Sequence, residues 1–174
     1  MEHDRQSASD VFARLIREHQ KAVFAVAYAR IGNVHDAEDV KQEVFVEAWR
    51  NMGKLRNPDR IAGWLFKATA SKCKDHFRKV RRREKRETAY AESAPPAERD
   101  CPSSESETEE ALFRAISDLP DHIRTLIMLK HFARLSYDEI SKMTGLSKTT
   151  LDGRLRLGKK RLRRKLFEMG IGAG

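Results

Sequence analysis

Residues 136–162, SYDEISKMTGLSKTTLDGRLRLGKKRL, constrain the fold of this chain more than any other stretch. Ser136 and Glu139 have the spacing of a capping box, in which the hydroxyl caps the helix start and the carboxylate reaches back. Ile140 and Met143 place apolar side chains on the inner face of the short helix that follows. Thr144-Gly145-Leu146 then breaks it, with Gly145 free to take the positive φ that a tight inter-helix turn needs. Ser147 caps the next helix, and Leu151, Leu155, Leu162 and Leu166 run down one side of it at helical spacing. Cap, helix, glycine turn, second cap and second helix together predict a helix-turn-helix. The remaining face carries Lys148, Thr149, Thr150, Asp152, Arg156, Lys159, Lys160 and Arg163. Short polar groups at the start and cations further along suit a helix docked in a major groove. An amphipathic hairpin with a solvated basic face is the plainer alternative. The agreement of caps, turn and face favours DNA. Gly158, inside the second helix, costs about 1 kcal/mol against Ala and is expected where another helix comes close.

The rest of the composition agrees with an acidic partner. The chain has 174 residues, of which 35% are charged, and a net charge of +9. Such a balance points to nucleic acid or another acidic surface. No apolar run approaches the ~20 residues of a membrane span and no signal peptide opens the sequence, so no membrane insertion and a cytoplasmic location are expected. Cys73 and Cys101 belong to no CxxC or Cys/His cluster, which argues against a disulfide framework or structural zinc. Cys73 falls on an apolar helix face and is expected as a small core residue, whereas Cys101 is expected as an exposed linker thiol.

Charge divides the chain into three blocks. Residues 1–92 hold 20 Lys/Arg against 14 Asp/Glu, residues 93–110 hold 1 against 6, and residues 111–174 hold 14 against 6. The middle block, SAPPAERDCPSSESETEE, is rich in Pro, Ser and Glu, has almost nothing to bury, and reads as a flexible linker. Both flanks look entirely helical. Phe12, Leu15, Ile16, His19, Val23, Val26 and Ala27 follow helical spacing until Gly32-Asn33 stops the run. From Asp36 to about Met52 a second helix has Ala37, Val40, Val44, Phe45, Ala48 and Trp49 on one arc and Asp36, Asp39, Glu43 and Glu47 on another. A third helix after Pro58 has an apolar stripe of Phe66, Ala70, Cys73, Phe77 and Val80. Lys67, Ser71, Lys74, Arg78 and Arg81 form its polar, basic stripe. Leu112, Ile116, Leu119, Ile123, Leu126, Ile127 and Leu129 supply helices beneath the helix-turn-helix. The fold class expected is all-α, two small helical domains joined by a flexible acidic linker.

The acidic stripe of the second helix admits three uses. It can be a solvated face, a carboxylate metal site, or a docking surface for a basic partner helix. Helix-bundle metal sites add a Glu-x-x-His from a facing helix, and the sequence has none. Phe45 and Val46 beside the carboxylates favour docking.

Residues 36–45, DAEDVKQEVF, followed by Ala48-Trp49, resemble region 2 of extracytoplasmic-function sigma factors, the smallest class of bacterial RNA polymerase specificity subunits. Residues 119–162, from LPDHIRTLIMLKHF through LSYDEISKMTGLS to RLRLGKKRL, resemble their region 4. The resemblance runs from about Val11 to Leu166. It implies a region 2 domain at 10–84, a linker at 85–108 and a region 4 domain at 109–170. The linker would thread the polymerase's RNA exit path and active-site channel.

The partners implied are core RNA polymerase, through the coiled coil of its largest subunit and its flap, promoter DNA, and an anti-sigma factor. Asp36, Asp39, Gln42 and Glu43 would dock on the coiled coil. In KLRNPDRIAGW, residues 54–64, Arg56, Asn57 and Asp59 would hydrogen-bond an unstacked base of the −10 element. Ser71, Lys74, Asp75 and Arg78 would lie along the melted strand. Ser147, Lys148, Thr149, Thr150, Asp152, Gly153, Arg154 and Arg156 would read the −35 element. No catalytic residue, cofactor or metal is implied, so the chain is not expected to be an enzyme. The sequence departs from the family at Ala70-Ser71, usually Arg-Asn, at Asp152, commonly Lys, and at Gly153, commonly a small residue such as Ser. Asp152 can accept from a cytosine amino group or pair with Arg156 one turn on. Two rivals remain, a stand-alone helix-turn-helix regulator and a carboxylate-metal enzyme built on the first bundle.

Overall fold

The computed structural model describes residues 2–53, 57–87 and 107–171. These form seven α-helices, and no strand occurs among the described residues. The first three are α1 (Glu2–Ile31), α2 (Val34–Arg50) and α3 (Pro58–Glu87). After the stretch that includes the expected linker come α4 (Glu107–Ser117), α5 (Asp121–Ile127), α6 (Tyr137–Thr144) and α7 (Lys148–Glu168). A π-helical turn, Met128–Phe132, continues α5. Cys101 and most of the expected linker lie outside the described residues.

The first stops follow the sequence closely. Gly32 takes φ +78 after α1, a conformation that costs an L side chain and not a glycine. Asn33 then caps α2, its side-chain oxygen accepting from the Asp36 N–H at 2.9 Å. α1, α2 and α3 pack on one another as a three-helix unit. Val40, Val44, Phe45 and Ala48 of α2 are buried, as are Leu65, Thr69 and Cys73 of α3. The Thr69 hydroxyl donates to the Leu65 carbonyl at 2.6 Å, so its burial leaves no orphan group.

α1 is buried more widely than a one-sided stripe would be. Every residue from Ala25 to Ala29 is buried, together with Ala22 and Val23. A helix buried all round must be covered on both sides. α2 and α3 cover one side of it, while α5 and the π turn cover the other. The alanines at 22, 25, 27 and 29 let two layers approach the same helix. Aromatic contacts fasten the second layer. Phe24 meets Phe132 with ring centroids 5.6 Å apart, and Tyr28 meets Phe113 edge-on at 6.2 Å. Arg30 lies 3.7 Å from the Asp121 carboxylate and 6.0 Å from the centroid of the Phe66 ring. α3 packs on α6 as well, so the two halves share one apolar core among the described residues.

α3 departs from expectation in its second half. Cys73 is buried, but Phe77 and Val80 are exposed, and so is every residue between Phe77 and Arg86. The apolar periodicity continues past the point where α1 and α2 can cover it. Leu112 on α4 is likewise exposed, while Ile116 and Leu119 are buried. Trp49 stays 47% exposed, with its ring against Phe12 at 4.9 Å.

Candidate docking face and nucleic-acid interface

The acidic face is built on α2 and shaped by α3. Asp39, Gln42 and Glu43 are exposed, and Asp36 is half-buried in the first turn, where the helix dipole favours an anion. Lys72 of α3 reaches across to Glu43 at 3.6 Å and Glu47 at 3.3 Å. Lys79 meets Glu43 at 3.7 Å, and His76 Nε2 stands 3.6 Å from Asp36. Asp39 has no ion-pair partner among the described residues. Between the two helices lies an open concavity of about 670 Å³, bordered by Asp39, Gln42, Glu43, Val46 and Glu47 with Arg50 and Lys72 at its edge. Val46 is 50% exposed, whereas Phe45 is buried and belongs to the core. A carboxylate rim around one exposed aliphatic suits a basic, amphipathic helix. Sequence reasoning missed Lys72, His76 and Lys79 as counter-ions. Their spacing of four and three residues down α3 was the available signal.

The expected −10 residues fall into two groups. Arg56 lies outside the described residues, and so does the side chain of Asp59, which sits in the first turn of α3. Asn57 is exposed just before α3, and its carbonyl accepts from the Arg60 N–H at 3.0 Å. Ser71, Lys74 and Arg78 are exposed along one strip of α3, with Asp75 half-buried beside them. Asp75 accepts from the Arg78 guanidinium at 3.2 Å, so within this strip an acid and a base already satisfy each other.

The helix-turn-helix forms as its residues dictate. Glu139 accepts from the Ser136 N–H at 2.7 Å and from its hydroxyl at 2.6 Å, while the Glu139 N–H donates to the Ser136 hydroxyl at 3.2 Å. These bonds hold the Glu139 carboxyl below the usual range. Gly145 closes α6 with φ +75, and its N–H donates to the Ser141 carbonyl at 2.8 Å. Ser147 caps α7, accepting from the Thr150 N–H at 3.2 Å, and its hydroxyl lies 2.8 Å from that of Thr150. Leu151 and Leu155 are buried, with Leu162 and Leu166 half-buried below them.

Gly158 fills the gap in that stripe. A Cβ there would stand 2.7 Å from Ile123 Cγ2, so α5 and α7 approach too closely for any other residue to fit without movement.

The outer face of α7 is basic and open. Thr149, Asp152 and Arg156 are exposed, and a shallow concavity of about 510 Å³ runs past Asp152 and Arg156 to Lys159, Lys160 and Arg163. Lys148 pairs with Asp138 at 2.6 Å. Asp152 forms no ion pair with Arg156 among the described residues, which leaves its carboxylate available to a base edge. A Cβ at Gly153 would meet nothing within 4 Å. Thr150 and Arg154 are half-buried and lie on the flank opposite Asp152 and Arg156. The residues expected to read the −35 element therefore divide between an outer face and an inner flank.

Each surface falls within a stretch that matches a known family. The family model for sigma-70 region 2 matches residues 15–83, which hold the acidic face, and that for sigma-70 region 4 matches residues 109–162, which hold the helix-turn-helix. The chain belongs to the extracytoplasmic-function sigma factors of the sigma-70 family. It is 30% identical over 161 residues to the ECF RNA polymerase sigma factor SigE of Mycolicibacterium smegmatis, covering 91% of this chain and 62% of that protein. It is 27% identical to SigW of Bacillus subtilis, covering 95% of this sigma factor and 94% of the relative. Two solved structures share the fold. The sigma factor RpoE of Bartonella quintana, crystallised with the anti-sigma factor NepR, superposes with a TM-score of 0.63 at 21% identity, covering 89% of this chain and 96% of that one. CnrH, solved with the cytosolic domain of CnrY, superposes with a TM-score of 0.62 at 24% identity, covering 94% of each. Among the described residues of this sigma factor no helix is long and apolar enough to cross a membrane.

Proposed function

We propose that this sigma factor binds core RNA polymerase through the acidic face of α2 and directs it to promoters, in the cytoplasm and without chemistry of its own. The observation that carries the reading is the pairing of two opposite surfaces in one chain. The exposed carboxylates of α2 repel DNA and suit a basic helix, and the cations of α7 suit phosphate. Asp36, Asp39, Gln42 and Glu43 dock on the coiled coil of the largest polymerase subunit, and the region 4 unit docks on the flap. Ser71, Lys74, Asp75 and Arg78, together with Arg56, Asn57 and Asp59, read the melted −10 strand. The outer face of α7 reads the −35 element, with Asp152 accepting from a cytosine amino group. A stand-alone helix-turn-helix regulator would leave the acidic face without a use. The relative from Bartonella was solved with an anti-sigma factor, and a partner of that kind is proposed for this chain as well.

The test is reconstitution. Purified chain plus core polymerase should start transcription selectively from a cognate promoter in a promoter library, and neither should do so alone. Asp39→Arg places a cation on the unpaired carboxylate position and should reduce retention of core polymerase at least tenfold, by about 1.5 kcal/mol or more. Retention of polymerase by the variant at the wild-type level would remove α2 from the docking surface.

A further inference from the structure

We infer that Gly153 and Leu157 form an apolar notch on the DNA-facing side of α7, and that this notch takes the 5-methyl group of a thymine in the −35 element. The inference rests on the sigma-factor reading above and names the base chemistry that the helix reads. Leu157 is 41% exposed in a helix whose other exposed residues, as far as Phe167, are polar or charged. Arg154, Arg156, Lys160 and Arg161 surround it in sequence, a setting that suits phosphates and not a second apolar protein surface. A lone exposed leucine is ordinary. Two further observations give this one a use.

The first is where Gly153 stands. By helical periodicity it faces away from Leu151, Leu155 and Leu162, between the Thr150–Arg154 flank and the Asp152–Arg156 flank. Glycine weakens a helix interior, and no neighbour within the chain accounts for this one. An added Cβ would meet nothing within 4 Å, whereas at Gly158 it would stand 2.7 Å from Ile123. The close approach that Gly153 permits is therefore to something outside the chain. A helix docked in a major groove brings base edges to its outward side.

The second is the space beside it. Helical side chains lean toward the helix N-terminus, so Leu157 leans over the turn that holds Gly153. Its side chain is still not within 4 Å of the Cβ position at Gly153. Carbon atoms attract best at about 3.5–4.0 Å, so the gap leaves room for a methyl group against Leu157. In the major groove only thymine offers one, and the other bases present amino, carbonyl or ring-nitrogen groups. A polar edge over the notch would lose its water and gain no partner. The Asp152 carboxylate suits an amino group and repels the thymine carbonyl, so Asp152 and the notch read different base pairs. Asp152 and Leu157 are about 7.5 Å apart along the helix axis, which places the thymine within about two base pairs of the base that Asp152 reads.

Deoxyuridine in place of thymine removes the methyl group and nothing else, so it reads the notch directly. Full-length chain with core polymerase is assayed for initiation on a promoter selected from the library, with each −35 thymine of either strand replaced in turn. Wild type should lose about fourfold at one thymine, the equivalent of about 0.8 kcal/mol for one buried carbon. Leu157→Ala and Gly153→Ala should each bring the thymine-to-uracil ratio there close to one. Gly153→Ala should do so while its Tm rises, because its Cβ meets nothing in the chain, and this separates lost reading from lost stability. A ratio of one at every position in wild type would overturn the notch, as would a ratio that either variant retains. Equal loss on both templates in Leu157→Ala would assign Leu157 to a protein partner and overturn it too. If no template supports selective initiation, the sigma-factor reading fails. Fluorescence anisotropy of the full chain on duplexes selected from random DNA, carrying thymine or uracil, then decides the notch by the same ratios.

Discussion

Gly158→Ala is expected to destabilise the protein even though alanine is the better helix former. A Cβ at this position lies 2.7 Å from Ile123 Cγ2 and 3.2 Å from both Cγ1 and Cδ1 of Ile127. Carbon atoms are most stable at about 3.5–4.0 Å, so the first contact is strongly repulsive. Ile123 cannot swing aside easily, because Cγ2 sits on its branched Cβ and χ1 is stiff. The site has no room either, with Ile123 1% and Ile127 3% exposed. Overpacking of this kind costs about 1–3 kcal/mol, and the gain in helix propensity returns about 1 kcal/mol. The net loss should be about 1 kcal/mol, or a fall of about 2–4 °C in Tm for a chain of this size. Gly153→Ala in the same helix is the matched control. Its added Cβ meets nothing within 4 Å, so only the propensity gain acts and Tm should rise by a similar amount. Thermal unfolding followed by circular dichroism at 222 nm compares the two. A Gly158→Ala protein as stable as Gly153→Ala would refute the idea that this glycine sets the distance between α5 and α7.

Three other outcomes are expected. Thr125 is 3% exposed and its hydroxyl has no hydrogen-bond partner among the described residues, so Thr125→Val should raise stability by about 1 kcal/mol, and a lower urea midpoint would count against an unpaired hydroxyl. Cys73 is buried, and burial first, then the Asp121 carboxylate, push its thiol up to about 12, against the Arg30 guanidinium. At pH 8 it should therefore resist alkylation in a Cys101→Ser protein until urea unfolds the chain, whereas rapid labelling of the native protein would show an accessible thiolate. Burial holds His19 below the usual imidazole value, although Glu18 and Glu139 pull it upward. The unfolded chain then takes up the proton first, so stability is complete above about pH 6.5 and falls as pH drops below it. His19→Gln should flatten that slope between pH 7.5 and 5.5, and an unchanged slope in the urea midpoint would place the titration elsewhere.

What the sequence made legible was local. The capping box at Ser136 and Glu139, the turn at Gly145 and the cap at Ser147 depend on residues three or four apart, and each forms as expected. Gly158 was legible as a close approach, because a glycine inside a helix needs a reason. Facts that depend on which helix lies beside which were harder to read. Phe77 and Val80 continue an apolar stripe in register, yet periodicity does not say where the covering helices end. The second buried side of α1 was carried by alanines, which signal close packing only once a partner is known. The π turn at Met128–Phe132 has no composition of its own, and it presents Phe132 to Phe24. Lys72, His76 and Lys79 belong to neither stripe read on this helix, and their use shows only when α3 is set against α2.

That last pairing bears on how an acidic face can be both held and available. Asp36, Asp39, Glu43 and Glu47 stand opposite Lys72 and Lys79, with His76 adding charge only when protonated. Four carboxylates against the Lys72 and Lys79 ammonium groups and the Arg50 guanidinium still leave an excess of negative charge, so a basic helix would be attracted. The pairs are partly exposed and 3.3–3.7 Å long, a class worth about 0–1 kcal/mol each. They orient the Glu43 and Glu47 side chains and yield readily to a partner that can approach more closely. Asp39 and Gln42 need no such exchange. In the docking proposed above, the first encounter would fall on Asp39 and Gln42, and Glu43 would follow by trading Lys72 and Lys79 for the incoming cation. α3 thus holds Glu43 and Glu47 in place in the free chain, which would reduce the side-chain ordering that the proposed docking has to supply.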